Sequence, residues 1–155
     1  MKDIKWAVLG TGVIANEMAQ ALIKKGKSIY SVANRTHQKA VEFAKKYNID
    51  KVYEDMNDVF EDPEVDVIYI TTPHNTHYEF MIKAINSGKH ILVEKSITLN
   101  TSELSRVINL AEQKGGCSCR SNDYISYADL KKIKRNAQLG SSWKSKSYHN
   151  EFWEF

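Results

Sequence analysis

Lys5-Trp6-Ala7-Val8-Leu9-Gly10-Thr11-Gly12-Val13-Ile14-Ala15 is the stretch that decides the fold. Residues 5–9 form a short apolar run that stops at Gly10, and beyond it Ile14, Met18, Ala21, Leu22 and Lys25 recur at helical spacing until Gly26. This is a strand, a glycine turn and a helix. Outward from it the same alternation repeats. Ile29-Tyr30-Ser31-Val32-Ala33 reads as a second strand, followed by a helix through Ala40, Phe43, Ala44 and Tyr47 and a short strand at Val52-Tyr53. A turn or short helix covers residues 58–60, and residues 65–70 are almost wholly apolar, as in a strand buried on both faces of a parallel sheet. A helix from about Thr76 carries Phe80, Met81, Ala84 and Ile85 and stops at Gly88; His90-Ile91-Leu92-Val93 is a fifth strand. Thr101 or Ser102 is expected to cap a last helix with Leu104, Val107, Ile108 and Ala111 on one face, Ser102 without the partner of a capping box. Five strands alternating with helices predict an α/β fold over residues 1–115, a doubly wound parallel sheet with right-handed crossovers.

The 155 residues, 42% hydrophobic and 26% charged, suit one globular domain and exclude a disordered or collagen-like chain. No apolar run approaches the roughly 18 residues that cross a bilayer, and the N-terminus is too polar for a signal-peptide core. The expectation is a soluble cytoplasmic protein without a membrane partner. The net charge of +3 is uneven: residues 1–115 hold 15 basic and 15 acidic side chains, residues 116–155 seven and four. Both cysteines, Cys117 and Cys119, and seven of the 13 serines also fall after residue 115, while all ten valines precede it.

Gly10 to Ala15 fits G-x-G-x-x-A directly after the first strand and at the opening of the first helix. Gly10 permits the tight turn, Gly12 lets a pyrophosphate approach the backbone, and Ala15 lets helix and strand pack closely. Thr11, Val13 and Ile14 lie along the same turn, where helix-end amides meet phosphate charge. The alternative is a pair of glycines that only tightens a turn. At the end of the second strand, where an acid would accept bonds from an adenosine ribose, the chain has Asn34-Arg35-Thr36, with Lys39 one turn on. An absent carboxylate and an added guanidinium favour a 2′-phosphate, hence NADP over NAD, unless Arg35 is only a solvated loop cation.

The glycine turn, Ile70-Thr71-Thr72-Pro73-His74-Asn75-Thr76-His77, and Ala84-Ile85-Asn86-Ser87-Gly88-Lys89-His90-Ile91-Leu92-Val93-Glu94-Lys95 together resemble the Gfo/Idh/MocA oxidoreductase family, in its dihydrodiol or sugar dehydrogenase subgroup. The resemblance covers residues 4–114. It implies a Rossmann cofactor domain, normally followed by a second domain that supplies oligomer contacts and most of the substrate pocket. It implies hydride transfer between a nicotinamide and a CH–OH carbon of a sugar, polyol or dihydrodiol. Thr72, Pro73, Asn75 and His77 would lie along the cofactor, with Glu94 and Lys95 near the nicotinamide. Lys95 would be the catalytic lysine, contacting the reacting oxygen and assisting proton transfer. Ser96 stands where the family has proline.

Each residue also has a plainer reading. Lys95 alone would be a surface lysine at a strand end, His77 a helix-opening residue or a partner of a backbone carbonyl, and His74 a loop residue. Cys117 and Cys119 form a lone C-x-C, and no metal site is expected. Lys131, Lys132, Lys134 and Arg135 resemble a nucleic-acid patch in charge, but no binding motif accompanies them and no nucleic acid partner is expected.

Residues 116–155 do not resemble the family's continuation and are read as a poorly ordered, out-of-frame tail. Cys119 to Tyr127, written TGC AGA AGC AAT GAC TAT ATA TCA TAT, gives AEAMTIYHM one base on, and such strings resemble the missing sixth strand and following helix. A one-base insertion in the codons of Gly115-Gly116 would account for it; the alternative is a genuine short protein with a basic tail. The gene's nucleotide sequence decides: a shifted frame that fails to encode these strings refutes the insertion. Three function classes follow: a catalytically incomplete oxidoreductase domain that has lost its second domain and oligomer contacts, an NADP(H)-sensing module, or a non-functional product.

Overall fold

The structure, a computed structural model, describes residues 4–114 and 119–121. Strands and helices alternate as β1 (Trp6–Leu9), α1 (Val13–Lys24), β2 (Ser31–Ala33), α2 (His37–Tyr47), β3 (Lys51–Val52), α3 (Asp58–Glu61) and β4 (Val67–Ile70). A single 3-10 turn (His74–Thr76) then leads into α4 (His77–Asn86), followed by β5 (His90–Val93), α5 (Thr101–Gln113) and β6 (Cys119–Ser121). The strands form one sheet in the order β3-β2-β1-β4-β5-β6, and every pair is parallel. The order reverses between β1 and β4, which is where a doubly wound sheet opens a crevice beyond its carboxyl ends.

Both faces are covered, so side chains alternate between two cores. Ala7, Leu9, Ile68, Ile70, Ile91 and Val93 point toward Val59, Met81, Ile85, Val107 and Ile108, on α3, α4 and α5. Val8, Val32 and Tyr69 point toward Ala15, Ala19, Ala40 and Phe43, on α1 and α2. Burial on both sides is why β1 and β4 carry no polar alternation apart from Tyr69.

Two differences from the sequence reading have local causes. The sheet has a sixth strand, Cys119–Ser121, paired with Ile91 to Val93 of β5 and lying inside the segment read as a tail. A strand edge recruits a neighbour through backbone N–H and C=O groups, so the composition of residues 116–155 did not announce it. The rest of that segment lies outside the described residues, and the expectations of disorder and a shifted frame fall there. The cap of α5 is Asn100, one residue before the expected Thr101 or Ser102. Its Oδ1 accepts the Glu103 N–H at 2.9 Å, and the Glu103 carboxylate accepts the Leu99 N–H at 3.1 Å. Glu103 thus folds back over the helix start much as in a capping box, but onto the N–H of Leu99, one residue before the cap.

At the amino end of the sheet, Asp62 gathers the chain after α3. Its Oδ2 accepts from Lys51 Nζ at 2.7 Å and from the Tyr53 hydroxyl at 2.5 Å, and its Oδ1 accepts the Glu64 N–H at 2.9 Å. The buried Lys89 donates to the Asp62 and Val65 carbonyls at 2.6 and 2.9 Å. This knot fastens β3, β4 and β5 at the end opposite the crevice.

Candidate functional site

The site is built where β1, β2, β4 and β5 end. Gly10 N–H donates to the Ala33 carbonyl at 2.9 Å, Thr71 N–H to Leu9 at 2.8 Å and Glu94 N–H to Ile70 at 3.0 Å, so four strand tips stay in register at the crevice.

The two turn glycines have different reasons to be glycine. Gly10 has φ +101°, and a Cβ there would meet Thr71 Oγ1 at 2.6 Å and the Thr71 carbonyl at 3.0 Å. Gly12 has φ −73° and would place a Cβ with no atom of the described residues within 4 Å. Neither backbone conformation nor packing therefore demands glycine at position 12; the open approach to the backbone does. Gly12 is also the N-cap of α1, no side chain caps that end, and no acid lies in its first turn. The amides of a 12-residue helix thus face the crevice with their partial positive charge. Ala15 behind them is fully buried against the sheet. Val13 and Ile14 are exposed at 73% and 39%, apolar side chains presented at the mouth of the turn.

The turn is fastened on two sides. Asn16 Nδ2 donates to the Gly12 carbonyl at 2.8 Å, while its Oδ1 accepts from the Tyr47 hydroxyl at 2.7 Å and Lys46 Nζ at 2.8 Å. Asn34 Nδ2 donates to Thr11 Oγ1 at 2.7 Å and its Oδ1 accepts the Thr36 N–H at 2.9 Å, which ties the glycine turn to the end of β2. Beside Asn34, Arg35 and Lys39 are exposed, and no acid lies in the first turn of α2.

Across the crevice, the Thr76 hydroxyl lies 2.8 Å from Thr72 Oγ1 and 2.7 Å from the Pro73 carbonyl, which shapes the turn after β4. Asn75 and Pro73 are exposed on it. His77 is fully buried, with Nδ1 2.8 Å from the Ser96 carbonyl and Nε2 2.7 Å from the Thr72 carbonyl. Glu94 is buried and accepts from the Tyr69 hydroxyl, whereas Lys95 is exposed. Burial pushes the Tyr69 phenol up, and its bond to Glu94 pushes it further in the same direction. The Lys95–Ser96 peptide is cis.

The structure therefore brings Gly10, Thr11, Gly12, Val13, Ile14, Asn34, Arg35, Thr72, Pro73, Asn75, Glu94 and Lys95 to strand tips and loops at one end of the sheet. His77 lies beneath them, held by backbone. The sequence reading passed over Asn16 and Tyr69. A lone tyrosine in the aliphatic run Val67-Ile68-Tyr69-Ile70 was the available signal, because a hydroxyl on a strand covered on both faces needs a partner.

The residues fit a dinucleotide: an open approach at Gly12, uncapped helix amides behind it and basic side chains at the tip of β2. Among the described residues no helix is long and apolar enough to cross a membrane, and no group of three or more His, Cys, Asp or Glu could hold a metal ion.

Comparison with known proteins agrees with this geometry. The family model described as the oxidoreductase family with an NAD-binding Rossmann fold matches residues 4–122. Mouse trans-1,2-dihydrobenzene-1,2-diol dehydrogenase is 32% identical over 115 residues, which cover 72% of this chain and 34% of that protein. An uncharacterised oxidoreductase of Rhizobium meliloti is 31% identical over 117 residues, covering 74% of this chain and 35% of its own length. The crystal structure of an NAD-binding oxidoreductase from Klebsiella pneumoniae superposes with a TM-score of 0.73 at 25% identity, covering 77% of this chain and 34% of that one. The chain spans about a third of the length of the curated relatives it matches.

Proposed function

The chain belongs to the Gfo/Idh/MocA oxidoreductase family with its NAD-binding Rossmann fold, and from that premise we propose that it binds NADP(H) in preference to NAD(H) as the cofactor half of a cytoplasmic dehydrogenase. The observation that carries the reading is Gly12: an N-cap with nothing among the described residues within 4 Å of a Cβ, in front of uncapped helix amides at the switch point of the sheet. The pyrophosphate would sit against residues 11–14, the adenosine 2′-phosphate by Arg35, and the nicotinamide between the Thr72–Asn75 turn and Glu94-Lys95.

When bound, the nicotinamide accepts or donates hydride at a CH–OH carbon; a sugar, polyol or dihydrodiol is the substrate class that the family suggests. Lys95, on a fixed backbone between two anchored neighbours, would set an ammonium beside the reacting oxygen, where it stabilises negative charge and can pass a proton. The groups that select the substrate would come from the part of the relatives' length that this match leaves uncovered.

A fluorescence titration with NADPH and with NADH tests the cofactor reading; binding of neither would overturn it. Arg35→Asp replaces a guanidinium that no other described residue engages in a hydrogen bond or ion pair. Loss of a charge-assisted bond of about 2 kcal/mol should weaken NADPH about thirtyfold. NADH should change far less. Equal loss of both cofactors would refute the 2′-phosphate assignment.

A further inference from the structure

We propose that His77 is a positioning residue that locks together the two loops holding the nicotinamide end of the site, rather than a ligand of the cofactor; this rests on the dinucleotide reading above. The β4–β5 ladder ends where the Glu94 N–H donates to the Ile70 carbonyl. Beyond that point the chain after β4 turns at Thr72 and Pro73, and the chain after β5 runs on through Lys95 and Ser96. The ring of His77, fully buried at the start of α4, spans the gap. Nε2 reaches the Thr72 carbonyl at 2.7 Å and Nδ1 reaches the Ser96 carbonyl at 2.8 Å.

Carbonyl oxygens only accept, so each contact is a hydrogen bond when the facing ring nitrogen carries hydrogen, and both are made at once when both nitrogens do. No ring nitrogen is left to face a ligand. The carbonyls sit on loops 24 residues apart in sequence, and both loops carry residues of the candidate site. Lys95 gains most from the arrangement. The residue before it, Glu94, is held by the Tyr69 hydroxyl, and the residue after it, Ser96, by His77. An exposed, flexible side chain is thereby launched from a backbone fixed on both sides. The adenine end depends on Asn34 and Arg35 at the tip of β2, two strands away from β4 in the sheet, and His77 touches neither.

His77→Phe keeps a planar ring and removes both ring nitrogens, and His77→Gln returns an amide that can donate. Each full-length variant is titrated with NADPH and with 2′-phospho-ADP-ribose, which lacks only the nicotinamide. His77→Phe should weaken NADPH about tenfold and 2′-phospho-ADP-ribose less than about twofold, with His77→Gln in between. Equal losses on both ligands, or undiminished NADPH binding, would overturn the proposal. Hydrogen exchange without any ligand gives a second reading. Amides of residues 71, 72, 74–76 and 94–97 should exchange faster in His77→Phe, or in His77→Gln if the first variant does not fold, and unchanged protection in both segments would also overturn it. If the parent chain binds neither ligand, the cofactor function fails by itself, and the exchange measurement still decides whether His77 locks the loops.

Discussion

Gly12→Ala leaves the thermal midpoint of the chain nearly unchanged and abolishes dinucleotide binding, whereas Gly10→Ala lowers the midpoint by more than ten degrees: these are the expected results of two substitutions two residues apart. At position 10 an alanine must hold φ +101° with its Cβ 2.6 Å from Thr71 Oγ1 and 3.0 Å from the Thr71 carbonyl. A left-handed L-residue costs roughly 1–2 kcal/mol and overpacking against backbone about as much again. About 3 kcal/mol in a domain of this size shifts the midpoint by roughly 10–20 °C. Thr71 cannot retreat, because its N–H and hydroxyl both bond the Leu9 carbonyl, at 2.8 and 3.0 Å.

At position 12 the accounting differs. The φ of −73° suits alanine, and no atom of the described residues lies within 4 Å of the new methyl. Alanine is a poorer N-cap than glycine by up to about 1 kcal/mol but restricts the unfolded chain by a similar amount, so the two effects offset and stability stays within about 1 kcal/mol. The methyl instead occupies the approach to the helix amides, and losing charge-assisted contacts to a phosphate should weaken NADPH by at least about a hundredfold. Differential scanning fluorimetry and a fluorescence titration check both halves. NADPH binding to Gly12→Ala at parental affinity would refute the pyrophosphate assignment. A parental midpoint for Gly10→Ala would refute the crowded turn.

The contrast shows which parts of the molecule could be read from its sequence. β1, the glycine turn and β4 were legible because burial on two faces leaves an apolar run and a turn at positive φ selects glycine; both leave marks on residue type. β6 was not, because an edge strand of three residues is held by backbone groups that every residue has. His77 was legible as a residue that opens a helix or bonds a backbone carbonyl, but not which carbonyls it reaches. Its partners are the carbonyls of Thr72 and Ser96, and nothing in the identity of either residue announces that its carbonyl is used. Asn100 was overlooked as a cap because Asn100, Thr101 and Ser102 can all cap. Only the Glu103 contacts to Asn100 and Leu99 choose among them.

Asp62→Ala should destabilise the chain by about 3 kcal/mol while leaving NADPH affinity unchanged, because it acts at the opposite end of the sheet from the crevice. Burial opposes the ionised carboxylate of Asp62, but hydrogen bonds from Lys51, Tyr53 and the Glu64 N–H outweigh it and hold the carboxyl well below the usual carboxylate range. Alanine removes the acceptor of all three. A group whose folded pKa is depressed contributes stability above its unfolded value of about 4, and that contribution drains away as pH falls below it toward the folded value. Parent and variant should therefore differ most in urea denaturation near neutral pH and converge below about pH 4. Tyr53→Phe removes a single donor and should cost only about 1 kcal/mol. A stability gap that persists unchanged into acid would mean that packing around residue 62, not its charge, ties β3 to β4, and a parallel loss of NADPH affinity would mean that the two ends of the sheet are not independent.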